Sequence, residues 1–572
     1  MELSPTLHFP ARRGSSRREF LRQIACVGAL APMPRFLSRV ALDPSPIHFN
    51  AVSRALTFGE MVELYRDAQP RPALAEKLTR LLTTPVVSNQ AWEGGMRPRK
   101  PVSDIIGNYL RVVQWNINRG YAFDAIRLAL SDPEDFVAYI QRRRDGMGAE
   151  QTDLLRSQLD ILKDADLIVL NEVDWGINRT KFRNVAAELA KSVGMNYAFA
   201  PEFIEIDPLT MGLDPRQIDP EVVRASMRPG DTRQAAMQRA RKAMVPNPSR
   251  YVGLHGTAIL SRYALRHVRV IRYETQGHDW YAQEKNEVVS QKVESFVGKV
   301  IFDEPLTRQV RRGGRMMLLA DVEDADLPMG RATIVATHLE DLTTPANRQK
   351  QLSELLHMVG EIPNPVIVAG DMNTTTHAGM PIGFVQAMEQ TVRSPRAWAA
   401  RGGAEVVEKV VPLGWAWNIA KDAAKFIHQE HDPTSTDIPF LMDNPEEKFF
   451  RMMEQFRFAD GTCFDFRGDT DRSSNGRRGI LANSNERAEK GFIPTQELAR
   501  TYGPVGQYKI DWIFVRPGNL TDPHDAEQSY RFSPHFGRTL RHLNHGVPGG
   551  MSDHNPIAAD LPLSNLFHGD KV

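Results

Sequence analysis

Short apolar runs recur along this chain, and each is closed by, or carries, a polar residue. They are "LRVVQWNI" (110–117), "ADLIVLNEV" (165–173), "GTAILSR" (256–262), "RMMLLADVE" (315–323), "RATIVATHLE" (331–340), "PVIVAGDMN" (365–373), "YKIDWIFVRP" (508–517) and "SDHNPIAADLPL" (552–563). Their length and β-branched content predict strands, and a continuous run such as Val366–Ala369 predicts burial on both faces. Leu154, Leu155, Gln158, Leu159 and Leu162 fall at near-helical spacing before the second run, and Leu352, Leu355, Leu356 and Val359 before the sixth. Strands and helices that alternate, with some strands adjacent, predict a layered α/β sandwich. No fixed-period repeat is present.

The remaining segments divide the chain. Residues 1–50 read as an N-terminal signal and a Pro-containing linker. Residues 51–109 read as a helical extension, with Leu74, Leu78, Leu81 and Leu82 on its pattern and "GGMRPRKP" (94–101) as a linker. The main domain spans 110–565. Within it, about 201–251 and 376–507 carry no obvious core strand and read as two large insertions.

Composition narrows the class. The chain has 572 residues, 41% hydrophobic and 25% charged, which is ordinary for a globular protein. A net charge of +1 gives no overall signature of nucleic-acid or membrane binding. Two cysteines, Cys26 and Cys463, exclude a disulfide framework and a cysteine-built zinc cluster. No apolar run approaches the roughly 18 residues that span a bilayer. "SSRREFLRQIACVGALAP" (15–32) pairs Arg17 and Arg18 with Phe20 and Leu21, then turns apolar from Ile24 to Ala31. It looks like a twin-arginine export signal, which predicts a periplasmic or secreted protein; a merely basic N-terminus on a cytoplasmic protein is the alternative.

The polar residues at the strand ends carry the chemistry. Asn116 follows Trp115, Glu172 follows "LIVLN", and His338 follows "TIVAT". Asp371 and Asn373 follow "VIVAG", Asp511 lies within "KIDWIFV", and Asp553 and His554 follow "GGMS". Gly, Asp and Asn at one strand end are ordinary turn residues. Carboxylate, amide and imidazole groups at six strand ends of a layered α/β fold predict a site.

The ordered set "WNI", "NE", "THLE", "GDMN", "IDWIFV" and "SDH" resembles the endonuclease/exonuclease/phosphatase superfamily, from about Leu110 to Leu563 outside the insertions. The resemblance implies a four-layered α/β/β/α sandwich of two packed mixed sheets. It implies a metal-dependent phosphoesterase in which water attacks phosphorus, with phosphodiester bonds, as in a nuclease, the leading substrate. Lipid or small-molecule phosphate esters, or a catalytically inactive binding protein on the same fold, are the alternatives. Nucleic acid is then one candidate partner among phosphate esters. Hard oxygen ligands suit Mg²⁺, with Mn²⁺ or Ca²⁺ as alternatives.

By resemblance, Glu172 is the main metal ligand, with Asn116 beside it and Asp553 in support. Asp371 would orient or deprotonate water, and Asn373 would donate to phosphoryl oxygens. His554, held by Asp511, would contact phosphate or shuttle a proton, and His338 matches a second histidine of the deoxyribonuclease-like branch. Arg262 matches a position facing substrate phosphate. Two departures separate the chain from particular branches: Asn118 stands where abasic-site endonucleases carry an acid, and "QYKIDWIFV" lacks the arginine motif of inositol phosphatases.

Other polar clusters read as structural. The late histidines His524, His535, His542 and His545 suit loops, "HQEHD" (428–432) a solvated helix end, and "RQVRRGGR" (308–315) a solvated basic face.

Overall fold

A computed structural model describes residues 56–143, 148–206, 230, 232, 235–236, 251–284, 310–375, 431–436, 444–497, 507–547 and 550–564. The described residues form sixteen strands, β1 to β16 in chain order. The larger sheet holds β1 (Val86–Ser88), β2 (Val102–Ser103), β3 (Gly107–Arg119), β4 (Leu167–Trp175), β5 (Asn196–Ile206), β6 (Leu254–Ser261), β8 (Val310–Gly313), β15 (His535–Thr539) and β16 (Ile557–Pro562). The five-stranded sheet holds β7 (Arg266–Arg272), β9 (Met316–Glu323), β10 (Arg331–His338), β11 (Val366–Asp371) and β14 (Asp511–Arg516). A small ribbon pairs β12 (Gln496–Glu497) with β13 (Gln507–Tyr508).

The sheets run β1-β5-β6-β4-β3-β16-β15 and β14-β11-β10-β9-β7. Both are mixed: β3 is parallel to β4 and β10 to β11, while their other neighbours run antiparallel. Alternation along each strand assigns the layers. Leu110 and Val112 of β3, Leu167 and Val169 of β4, Ile334 and Ala336 of β10, Ile367 and Ala369 of β11, and Ile513 and Val515 of β14 meet between the sheets. The residues between them face outward. Val113, Trp115, Ile168 and Leu170 pack under the helices Phe123–Ser131, Pro133–Gln141, Ala149–Lys163 and Val185–Val193. Val335, Val368, Trp512 and Phe514 pack under the helices Pro345–Val359 and Glu447–Gln455. The result is the expected four-layered α/β/β/α sandwich. Because both faces of the central strands, such as β4, β10 and β11, are buried, the sequence reads there as unbroken apolar runs.

Segment 444–497, which the sequence pattern sets apart as part of an insertion, contributes to the outer layer. Its Phe449, Phe450, Met453, Phe464, Phe466 and Phe492 are buried against the five-stranded sheet. Residues 376–430, and most of 207–250, lie outside the described residues.

Gly370 is required where it stands. It pairs with Thr337 on one side and Trp512 on the other, and a Cβ on it would lie 1.8 Å from the Thr337 carbonyl oxygen. No side chain fits without moving backbone in the middle of the sheet. Gly370→Ala is therefore expected to destabilise the fold by about 3 kcal/mol or more, read by denaturant unfolding. A midpoint near that of the wild type would contradict this packing.

Candidate active site

The face between the sheets does not stay apolar to its end. Continuing the same alternation, Val112 is followed by Gln114 and Asn116, Val169 by Asn171, Ala336 by His338, and Ala369 by Asp371. β14 runs antiparallel to β11, so it meets this end with its first residue, and Asp511 pairs directly with Asp371. On β5 and β6, Glu202 and Thr257 continue the face beyond Ala200 and Ile259. The site is the polar end of the inter-sheet core.

Glu172 has the wrong parity for this face, and a bulge corrects it. Leu170 pairs with Ala258 and Val173 with Gly256, so Asn171 and Glu172 together oppose Thr257. Glu172 takes φ 52°, a left-handed conformation uncommon for any residue but glycine. Asn118 and Arg119 on β3, and Asn373 after β11, share positive φ. Such outliers gather where a structure holds groups for a purpose. Consecutive side chains consequently reach one place. Asn171 Oδ1 accepts the Asp371 backbone N–H at 2.9 Å, and Glu172 Oε1 accepts from Asn116 Nδ2 at 3.2 Å.

Asp371 is the hub. Its Oδ2 accepts from Asn116 Nδ2 at 3.1 Å and lies 3.6 Å from His338 Nε2 and 3.8 Å from His554 Nε2. Its Oδ1 accepts the Asn373 backbone N–H at 3.0 Å. Burial, and then the Asp511 carboxylate, push its pKa up to about 8. Asp511 Oδ2 lies 2.8 Å from His554 Nδ1, and Asp511 Oδ1 accepts from Gln114 Nε2 at 2.9 Å. Burial opposes charge on both members of this pair, but their mutual attraction prevails. It holds His554 well above the usual imidazole range and Asp511 below the usual carboxylate range.

His338 is the opposite case. Burial, and then the Arg315 guanidinium, hold it well below the usual range, so it is neutral. Arg315 Nη1 donates to His338 Nδ1 at 2.8 Å, which places the ring proton on Nε2, the nitrogen facing Asp371. Arg315 is itself held by Glu202 at 2.7 Å and by Glu340 and Asp341. The carboxyl of Asp371 thus sits between a neutral imidazole donor and a charged one.

Asn373 Nδ2 spends one N–H on the Leu339 carbonyl at 2.9 Å. Asp553 is part-exposed beside this group. Its carboxylate approaches Ser552 Oγ at 3.4 Å and Gln496 Nε2 at 3.5 Å, and Ser552 Oγ donates to the Asn116 carbonyl at 2.7 Å.

Arg262 is not brought to the site, which corrects its expected substrate contact. β6 runs antiparallel to β4, so Ser261 pairs with Leu167 at the end of the sheet remote from Glu172. Arg262 is buried there and donates to the carbonyls of Ala165, Val193 and Lys163 at 3.0, 3.4 and 3.2 Å. It satisfies carbonyls at and just beyond the ends of two helices. The described part of the basic run, 310–315, also departs from a solvated face. Arg315 is 4% exposed, and Arg312 donates to the carbonyl of Leu64 at 2.8 Å.

Sequence reasoning missed Gln114, Asn171, Glu202 and Arg315. For the first three, the available signal was a polar residue in register with the inward-facing apolar ones.

A hard divalent cation fits the donor set at Glu172. Glu172 is ionised: burial opposes this, but Arg119, at 3.9 Å, and further cations hold its pKa below the usual range. The amide of Asn116 now lies between Glu172 and Asp371, where a positive charge would be stabilised. Asp371, Asp511 and His554 also bring potential ligand atoms within 4.8 Å of one another. That trio is less suited to an ion, because both Asp511 oxygens already accept hydrogen bonds and His554 is charged.

No curated protein matches the chain. Among solved structures, it is similar to an endonuclease/exonuclease/phosphatase from Beutenbergia cavernae, at 16% identity over 80% of this chain and 72% of that one, with a TM-score of 0.33. It is similar to the 3′–5′ exonuclease NExo of Neisseria meningitidis, at 12% identity over 79% and 99%, with a TM-score of 0.32. It is also similar to the catalytic domain of human nocturnin, at 12% identity over 87% and 100%, with a TM-score of 0.32. The model of the Endonuclease/Exonuclease/phosphatase family matches residues 113–554, a span running from β3 to His554, and the chain belongs to this family of phosphoester-hydrolysing enzymes.

Proposed function

We propose that the protein is a divalent-metal-dependent phosphodiesterase that directs water at phosphorus. The observation that carries this reading is the placement of Asp371 Oδ2 between Asn116 Nδ2, His338 Nε2 and His554 Nε2. A base and its neighbouring donors are thereby held together at the polar end of the inter-sheet core. Glu172 and Asn116, with Asp553 in support, would hold Mg²⁺, or Mn²⁺ or Ca²⁺ in its place. When bound, the metal would neutralise charge on the phosphoryl group and leaving oxygen.

The chain's own groups do the rest. Asp371 takes the proton of the attacking water, oriented by the Asn373 N–H. Its raised pKa suits a general base working near neutrality. The imidazolium of His554, fixed by Asp511, faces phosphoryl oxygen with a charged N–H. The neutral Nε2–H of His338 and the second amide hydrogen of Asn373 supply further donors. Fixed donors aimed at developing negative charge stabilise the transition state without reorganising.

Chelation is expected to abolish hydrolysis of a simple diester such as bis-p-nitrophenyl phosphate, and added Mg²⁺, Mn²⁺ or Ca²⁺ to restore it. Full activity in excess chelator would overturn the metal assignment. We further propose twin-arginine export, supported by Arg17, Arg18 and the apolar stretch after them, which lie outside the described residues. Changing Arg17 and Arg18 together to lysine keeps the charge and should retain the protein in the cytoplasm. Unaltered location would leave only a basic N-terminus.

A further inference from the structure

Asp371 has an imidazole on either side, and only one of the two rings is joined to a carboxylate. His554 Nδ1 meets Asp511 at 2.8 Å. His338 Nδ1 also has a carboxylate near it, because Glu202 Oε2 lies 3.7 Å away. The two histidines would form matching pairs but for Arg315. Its Nη1 is 2.8 Å from His338 Nδ1 and 2.7 Å from Glu202 Oε2. A guanidinium carries donors only, so the ring nitrogen it meets has to accept.

We propose that Arg315 is a positioning residue: it stands between Glu202 and His338, so that His338 serves hydrolysis as a fixed neutral donor and not as a carrier of a proton. This rests on the phosphodiesterase reading above and assigns a part in it to a residue outside the reacting group.

Arg315 is held as such a role requires. Its backbone N–H donates to Gln276 Oε1 at 2.6 Å, and its carbonyl accepts from Gln276 Nε2 at 3.2 Å. Its side chain is buried, with Nη2 3.1 Å from Asp341 and Nε 3.4 Å from Glu340. Glu202 is fixed from its other oxygen, which accepts from Thr257 Oγ1 at 2.7 Å. Nothing is left for the guanidinium to do but face His338 from one direction.

Charge explains why the second pair is withheld. His554 is already an imidazolium beside Asp371. A second one on the other side would hold Asp371 ionised too firmly to take a proton from water. Arg315 keeps His338 neutral without adding a free cation, since Glu202 and Asp341 meet its own charge. Burial, Arg315, His255 of β6 and His554 all act against a charge on His338. Asp371 on β11 and Glu202 on β5 are the carboxylates that face the ring and favour one. Without Arg315 the balance reverses. Glu202 is then free to accept from Nδ1–H, and the charged ring is stabilised. When that ring loses its proton, the remaining one stays on Nδ1 beside Glu202, and Nε2 turns a lone pair toward Asp371.

The test follows bis-p-nitrophenyl phosphate hydrolysis against pH in the presence of the restoring metal. His338→Ala should lower kcat/KM by about 10²-fold, as loss of one fixed donor does. His338→Gln should recover most of that loss, because its amide offers an oxygen to Arg315 and an N–H toward Asp371, as the neutral ring does. In Arg315→Met the profile should acquire one ionisation that the wild type lacks. Combining Arg315→Met with His338→Gln should remove it again. Partial misfolding scales a profile but adds no ionisation to it. If Arg315→Met fails to fold, the comparison of His338→Gln with His338→Ala decides alone, since both leave the Arg315 cluster intact. His338→Gln as slow as His338→Ala, or an Arg315→Met profile of wild-type shape, overturns the positioning role while the phosphodiesterase reading stands. No hydrolysis by the wild type overturns that reading and the positioning role with it.

Discussion

Asp371→Asn is expected to lower kcat/KM by about 10²–10⁴-fold while leaving the fold and metal affinity near those of the wild type. The substitution keeps the shape of the side chain and the acceptor for the Asn373 N–H, and it removes the base. Its new amide nitrogen would take the place of Oδ2 and face three donors, Asn116 Nδ2, His338 Nε2 and His554 Nε2. Asn116 Nδ2 keeps Glu172 Oε1 as an acceptor, and the two imidazoles stand 3.6 and 3.8 Å away, beyond hydrogen-bond distance, so the fold is little disturbed; if the amide turns over instead, the Asn373 N–H loses its partner. Metal binding should persist because Glu172 is untouched. The measurements are steady-state kinetics on a diester, calorimetric titration with Mg²⁺ or Mn²⁺, and a melting curve. Turnover within about 10-fold of the wild type would remove Asp371 from the role of base. Loss of metal binding would instead make it a ligand.

The sequence disclosed the parts of this fold that are buried on both faces. β4, β10 and β11 read as apolar runs because helices and the opposite sheet cover them. β7 escaped detection for the converse reason: "RHVRVIR" is an edge strand that presents charges along an exposed side, and its period-2 pattern is short. β5 was obscured by Pro201 and by the bulge at Glu202, which break its alternation where the segment 207–250 begins. Most candidate site residues were legible because chemistry at strand ends interrupts apolar runs. Their supports were not. Gln114 and Asn171 lie within apolar strands, and only the pairing of β3 with β4 reveals that their side chains meet. Arg315 looked like surface charge because sequence alone does not show Glu202, Glu340 and Asp341 converging on it from three other segments. Arg262 shows the reverse limit: a motif position carried over by resemblance says nothing about which end of an antiparallel strand it occupies.

His554 and Asp511 are expected to behave as one unit. His554 Nδ1 is 2.8 Å from Asp511 Oδ2, both groups are buried, and each is the main reason the other stays charged. Asp511 is fixed in turn by Gln114 through its side chain, by the Thr495 hydroxyl at its backbone N–H, and by Lys509, which donates to its carbonyl. His554→Ala removes the charged donor facing phosphate, and it leaves the buried Asp511 carboxyl without the partner that keeps it charged. Rate losses of about 10²–10⁴-fold are typical when such a group is removed. Asp511→Asn keeps the imidazole but weakens its alignment and lowers its pKa, so its loss should be smaller and should grow as pH rises and the ring deprotonates. In the double variant Asp511 has nothing left to orient. Its kcat/KM should match that of His554→Ala alone, because residues that act through one another are strongly non-additive. Multiplication of the two single effects would mean that each acts on the reaction by a separate route, and the pairing would then serve only the fold. That alternative carries its own signature. A purely structural pair would lower the melting temperature of both single variants while leaving the pH dependence of Asp511→Asn the same as that of the wild type.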